Sequence, residues 1–329
     1  MALGMMIQGQ WVKDWTERDV QGKFVRMPTK FHDWITASGS SGFKAEVGRY
    51  HLYVSLGCPW AHRTAIMRSV KGLASVISLS IVKPEISDFG WQFSDEPGCL
   101  VDTVNQAKYL WEIYVKAKPD YTGRVTVPIL WDKQTSTIVN NESRQIIRML
   151  DTEFEAFAEA GVSFYPQELQ SEIDRTIDAI YQPINNGVYR AGFANSQAAY
   201  DEAVTEVFAA LDYWEEVLEN QRYLVGDQIT EADWCLFPTL LRFDVAYHGL
   251  FKCNVKRLRD YPNLWNYVLD LYQQPGVKEV CSIDHIKRLY YGSLAEINPS
   301  RIIPKGPTID FNAPHDRDRY LVMPTKAVA

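Results

Sequence analysis

Cys58 stands directly before Pro59, Trp60 and Ala61, where a β-rich run, Tyr50–Leu56, hands over to a helical one, Pro59–Leu73. A thiol at a helix N-terminus meets unsatisfied backbone N–H groups and the positive end of the helix dipole, and both favour the nucleophilic thiolate. Proline in the first helical turn loses nothing by lacking an N–H. A lone cysteine is more often a buried structural residue; here its position and the proline after it favour a reactive thiol. The fourth residue of the string is Ala61, not a second cysteine. A mixed disulfide on Cys58 therefore has no local resolving thiol, and an external thiol must release it. Cys99 would serve only if the 83–101 segment folded back. His62 lies four residues on, but one Cys-His pair is weak as a metal site; His62 and Arg63 are expected to pack or pair on the helix.

Two further motifs follow. In Val127-Pro128 a proline opens a strand where it cannot pair normally, which reads as a cis bond facing Cys58 or as an edge-strand proline. A backbone edge beside such a proline can pair with an extended, peptide-like ligand. In Asn141-Glu142-Ser143, Ser143 opens another helix whose N–H groups suit a carboxylate, and Glu142 suits an ammonium; a plain N-cap is the simpler reading of the same residues. Thiolate, strand edge and ammonium-carboxylate clamp together fit γ-Glu-Cys-Gly, which is glutathione.

The elements that must position these groups form a recognisable order. Strand Tyr50–Leu56 is followed by helix Pro59–Leu73, strand Val76–Val82, a long loop over 83–101 and helix Val104–Lys118. Strands Val125–Trp131 and Thr137–Val139 then make a hairpin, and helix Ser143–Leu150 follows, so the order is β-α-β-α-β-β-α. From Gln167 the signals are nearly all helical: Ala198–Glu219, Ala232–Tyr247, Leu264–Gln273 and Val277–Tyr291, with a capping box at Thr230-Glu231-Ala232-Asp233. The expected domains are an irregular arm over 1–47 with aromatic anchors at Trp11–Trp15 and Phe31–Trp34, an α/β domain over 48–155, an all-α domain over 165–298, and a Pro-rich tail over 299–329. This is a thioredoxin-like unit joined to a helical one.

Composition narrows the function. The chain has 329 residues, 46% of them hydrophobic, with 34 basic and 41 acidic residues and a net charge of −7. That is ordinary for a folded domain pair and carries no basic footprint for nucleic acid. No apolar run approaches the ~20 residues of a membrane span. The start lacks a basic n-region and is broken by Gly4 and Gly9, a poor signal peptide. Five cysteines at irregular spacing, with no CxxC, suit neither a disulfide framework nor a zinc ribbon. The expectation is a cytoplasmic protein with no metal.

The strings Tyr53-Val54-Ser55-Leu56-Gly57-Cys58-Pro59-Trp60-Ala61-His62-Arg63, Gly123–Pro128, Asn141-Glu142-Ser143 and Asn186-Gly187-Val188-Tyr189 closely resemble the glutathionyl-hydroquinone reductases, the xi-class glutathione transferases, which are related to the omega class. The resemblance runs over most of the chain, including Asp284-His285-Ile286 and Ile297-Asn298-Pro299. It implies glutathione transferase architecture and reduction of glutathionyl-hydroquinones, with glutathione as co-substrate, no tightly bound cofactor, and a homodimer. It implies Cys58 as nucleophile. It also implies a glutathione site at Trp91, Arg124, Val125, Thr126, Val127, Glu142 and Ser143. Tyr189 would exchange a proton, and Tyr247 and Tyr290 would lower the Cys58 pKa. Among eighteen tyrosines only Tyr189 has a local cue, the Asn185-Asn186-Gly187 break beside it. An omega-like thioltransferase or dehydroascorbate reductase would share Cys58 and differ in the second pocket, and a non-catalytic binding module would not need the thiol.

Overall fold

The computed structural model describes residues 4–13, 19, 21–158 and 163–320. The arm supplies β1 (Met5–Ile7), β2 (Gln10–Val12), β3 (Ile35–Thr36) and β4 (Phe43–Lys44). The α/β part contains β5 (Tyr50–Val54), α1 (Pro59–Val70), β6 (Ser78–Ile81), α2 (Leu110–Ala117), β7 (Ile129–Asp132), β8 (Thr137–Asn140) and α3 (Ser143–Thr152). The helical part contains α4 (Gln170–Ile180), α5 (Gly187–Gly192), α6 (Gln197–Asn220), α7 (Glu231–Arg242), α8 (His248–Leu250), α9 (Pro262–Tyr272) and α10 (Ile283–Ser293).

The expected β-α-β-α-β-β-α order is present as one four-stranded sheet, β6-β5-β7-β8. β5 pairs parallel with β6, His51 opposite Ser78, and antiparallel with β7, Tyr53 opposite Ile129. Every residue of β5 is buried, as a strand covered on both faces must be. α1 packs on α3 and also on α7, so the helix that begins at Cys58 joins the two halves of the molecule. The box at Thr230 forms: Asp233 Oδ2 accepts from the Thr230 N–H at 2.7 Å.

Several element ends differ from the sequence expectation, each for a local reason. The helix expected over Val104–Lys118 is regular only from Leu110, because the N–H groups of Val104, Asn105 and Ala107 are bound by the buried Asp102 carboxylate. The strand expected from Val125 begins at Ile129; Val127-Pro128 is a cis peptide, and the Thr126 N–H and carbonyl are both taken by the Tyr114 hydroxyl. The helix expected over Ala232–Tyr247 is α-helical to Arg242 and then widens over Phe243–Tyr247, where the His248 N–H reaches back five residues to Phe243. The run expected over Val277–Tyr291 is divided, with Ser282 capping α10 through the His285 N–H.

The described residues of the arm dock on the α/β part at more than one place. Met6 and Gly123 exchange backbone bonds of 2.9 Å, and further on Asp33 and Phe31 bond the backbone at Val139 and Asn141 beside β8. Of the first aromatic anchor, Trp11 packs on the core, whereas Asp14 and Trp15 lie outside the described residues. The tail is held by the buried Arg317, whose guanidinium donates to the carbonyls of Leu218, Gln221 and Arg222. Among the described residues no helix is long and apolar enough to cross a membrane.

Candidate active site

Cys58 is the N-cap of α1, half-buried, with extended backbone (φ −83°, ψ 124°) and Pro59 in the first turn. Its Sγ lies 3.9 Å from the Val127 carbonyl oxygen, so the cis-proline segment does face the thiol. Burial pushes the thiol upward. The Ala61 N–H, the Arg242 guanidinium, the Trp60 N–H and Arg26 pull in the other direction without overcoming it. The amides of the helix start do stabilise the thiolate, as expected, but the desolvation of the covered thiol outweighs them.

Cys58 lines a cavity of about 490 Å³. All seven residues expected to bind glutathione line it as well: Trp91, Arg124, Val125, Thr126, Val127, Glu142 and Ser143. Glu142 is the N-cap of α3, accepting from the Arg144 N–H at 3.3 Å and from Thr29 Oγ1 at 3.3 Å. Ser143 is the first residue of that helix, and its hydroxyl accepts from Arg63 Nη1 at 3.3 Å. Arg63 also donates to the Cys235 carbonyl at 2.9 Å. It thus pairs from α1, as expected, and fixes the serine from behind. Trp91 is nearly covered and is held in its loop by a backbone bond from Leu110.

Tyr189 and Tyr290 line the same cavity, whereas Tyr247 is fully buried outside its wall. The Tyr290 hydroxyl is 2.6 Å from that of Tyr189 and 2.9 Å from that of Tyr247. Burial pushes all three phenols upward, and the nearby Cys58 adds to the rise at Tyr189. At neutral pH this is a cluster of protonated hydroxyls, suited to hold and relay a proton. The wide turn over Tyr181–Asn185, closed by the Asn186 N–H on the Tyr181 carbonyl at 2.8 Å, ends just before α5 and aims Tyr189 into the cleft. That is the break read at Asn185-Asn186-Gly187.

Sequence reasoning missed the arm's part in the cavity. Phe24, Arg26, Met27, Pro28, Thr29 and His32 form part of the cavity wall. Arg26 lies over the rings of Trp60, Tyr189 and Phe24, and its Nε donates to Asn186 Oδ1 at 3.0 Å. Sequence reasoning also missed Arg242, which donates to the carbonyls of Leu56 and Gly57 at 2.8 and 2.9 Å and so fixes the turn that delivers Cys58. His62 pairs, as expected: its Nδ1 is 3.2 Å from Arg242 and its Nε2 3.5 Å from Cys281 Sγ. Cys99 is buried and is not part of the cavity wall. Among the described residues no group of three or more His, Cys, Asp or Glu side chains could hold a metal ion.

Comparison with known proteins gives the family and the fold. The family description "Glutathione S-transferase, N-terminal domain" matches residues 57–153, and "Glutathione S-transferase, C-terminal domain" matches 197–269. The glutathionyl-hydroquinone reductase YqjG of Escherichia coli is 49% identical over 324 residues, covering 96% of this chain and 99% of the relative. The chain belongs to the glutathionyl-hydroquinone reductases, the xi-class glutathione transferases. The glutathionyl-hydroquinone reductase PcpF of Sphingobium chlorophenolicum is 46% identical, with 93% and 96% of the two chains covered. Among solved xi-class structures, that from Natrialba magadii superposes with a TM-score of 0.93 at 50% identity, over 97% of this chain and 98% of that one. The glutathione-bound structure of YqjG superposes at 0.89 and 48% identity, over 96% and 99%. Membership in this glutathione transferase class accounts for the thioredoxin-like sheet and the helical half.

Proposed function

We propose that the protein reduces glutathionyl-hydroquinones to hydroquinones, with glutathione as co-substrate and glutathione disulfide as second product. The observation that carries this is the joint lining of one cavity by the Cys58 thiol, the Val127 backbone, the α3 N-terminus and the Tyr189–Tyr290 hydroxyl pair. Its volume is ordinary for a small-molecule site. The γ-glutamyl carboxylate sits on the N–H groups of α3 and Ser143, with its ammonium against Glu142. The cysteinyl backbone runs beside Val127, which brings the glutathione sulfur to Cys58. Arg124 supplies positive charge to a carboxylate, and Trp91, Val125 and Thr126 complete the wall.

Cys58 thiolate attacks the glutathione sulfur of the conjugate. An aryl carbanion is too poor a leaving group, so the ring carbon bearing sulfur is first protonated to the keto tautomer, with Tyr189 relaying the proton. The carbon–sulfur bond then breaks to an enolate, which becomes the hydroquinone. A second glutathione attacks Cys58–S–SG and regenerates the thiolate, a ping-pong sequence. With Ala61 in the resolving position, no neighbouring thiol competes for that step.

Release of hydroquinone from a synthetic glutathionyl-hydroquinone tests the reading. Turnover of that conjugate well above exchange with simple disulfides supports it. Disulfide exchange or dehydroascorbate reduction alone would make the protein an omega-like thioltransferase instead, and neither activity would leave a binding module. Residues 48–155 and 165–298 are the working domains in this reading, with 1–47 and 299–329 as arm and tail. The protein acts as a homodimer in the cytoplasm; sedimentation at micromolar concentration showing only monomer would refute the first, and fractionation the second.

A further inference from the structure

Arg26 is the cation of the arm that reaches the cavity wall. Its guanidinium carbon is 4.8 Å from the Trp60 ring centroid, 5.0 Å from Tyr189 and 5.3 Å from Phe24. Trp60 is two residues from Cys58, and Tyr189 is the proposed proton relay, so the cation lies over the rings that flank the reacting sulfur. Its one hydrogen bond among the described residues runs from Nε to Asn186 Oδ1 at 3.0 Å, and there it makes no ion pair with a carboxylate. A partly desolvated cation without a carboxylate is costly, ring faces offset only part of that cost, and the Cys58 thiolate that Arg26 favours is consumed when its sulfur is bonded. The arrangement suits a site whose anion arrives with the reaction.

The proposed chemistry produces such an anion. As the Cys58 Sγ–S bond forms, the electron pair of the carbon–sulfur bond moves into the protonated ring and collects on the oxygen next to that carbon. Cys58 and the glutathione sulfur become a disulfide, the ring is reduced by two electrons, and the oxygen takes up one proton as hydroquinone leaves. We propose that Arg26 is a catalytic residue that receives this oxygen, holding the departing hydroquinone's enolate with the Nη groups that its Nε bond to Asn186 does not use. This rests on the hydroquinone-reductase reading. A planar fork held on one edge and stacked on rings presents donors in a set direction, which lysine does not do.

The test compares two half-reactions in the full-length protein. Arg26→Gln should lower single-turnover hydroquinone release by ~10²-fold, the scale of one oxyanion donor. Reduction of a preformed Cys58–S–SG by glutathione should change by less than about 3-fold, because no enolate forms in it. The defect should shrink with halogenated hydroquinones, whose oxygens carry charge more readily, and grow with alkylated ones. Arg26→Lys, which keeps the charge, should recover part of the rate. Equal loss in both half-reactions would assign Arg26 to arm docking or glutathione binding, a defect independent of hydroquinone acidity would assign it to the Cys58 thiolate, and either would overturn the proposal. Wild-type protein that releases no hydroquinone overturns the functional reading and the proposal with it. Release by wild type that Arg26→Gln matches overturns the proposal alone.

Discussion

Replacing Tyr290 by Phe removes the hydroxyl that makes both short contacts of the phenol cluster, 2.6 Å to Tyr189 and 2.9 Å to Tyr247. A buried hydrogen bond contributes about 0.5–1.5 kcal/mol net. The rings of Tyr189 and Tyr247 are 6.0 Å apart, close enough for those two hydroxyls to recover part of the loss. The expected destabilisation is therefore about 1–2 kcal/mol for Tyr290→Phe. For Tyr247→Phe, which removes one bond and leaves the Tyr189–Tyr290 pair, it is about 0.5–1 kcal/mol. Activity should rank differently, by distance from the substrate. Tyr189→Phe, at the cavity wall, removes the proposed proton donor and should slow hydroquinone release by roughly 10²–10⁴-fold. Tyr290→Phe, which loosens that donor, should cost about 10-fold, and Tyr247→Phe under about 3-fold. Denaturant unfolding and single-turnover release measure the two rankings separately. The Tyr189→Phe/Tyr290→Phe double variant should be less impaired than the product of the single effects, because both act through one proton. If Tyr247→Phe is as slow as Tyr189→Phe, or the double variant is strictly multiplicative, the relay reasoning is wrong.

Other outcomes follow from the same geometry. Cys58→Ala should abolish hydroquinone release, while Ala at Cys99, Cys235, Cys253 or Cys281 retains it; burial pushes Cys281 up to about 12, so a glutathione adduct on that half-exposed thiol at neutral pH would count against the account. Alkylation of Cys58 in the free enzyme should have its midpoint above the ~8.5 of a free thiol, since burial outweighs the amides and arginines; a midpoint below neutrality would mean that the helix start wins. His51 is buried between the Ser78 and Ser80 hydroxyls and is lowered from 6.5 to about 4. Between these values the unfolded chain takes up a proton that the folded chain refuses, so stability should fall as pH drops from 6.5 toward 4, by at most about 3 kcal/mol. His51→Gln should flatten that part of the stability–pH curve, and an unchanged slope would remove His51 from it.

The sheet order and the place of Cys58 at the start of α1 were legible because their signals are local. A β-rich run ending in Cys-Pro and a helix that follows need no knowledge of the rest of the chain. Glu142 and Ser143 were legible for the same reason, as a cap and a first turn. The arm's part in the cavity was not, because residues 24–32 have no period and Arg26 gains its meaning only from Trp60, Tyr189 and Asn186, which the fold brings to it. Arg242 sits in an apolar helix where nothing in the sequence hints that its partners are the carbonyls before Cys58. The start of α2 was misplaced because the Asp102 side chain replaces the first helical bonds. The direction of the Cys58 shift could not be read from a helix start, since desolvation depends on what covers the thiol, and the whole fold decides that.

In the proposed mechanism glutathione passes from the hydroquinone to Cys58 before any second thiol acts. Rapid mixing of reduced protein with one equivalent of glutathionyl-hydroquinone, without free glutathione, tests it most directly by following hydroquinone release and intact mass together. One hydroquinone per protein is expected, released as one glutathione appears in disulfide linkage on the peptide that carries Cys58. Hydroquinone released with no adduct, or an adduct on any other cysteine, would contradict it.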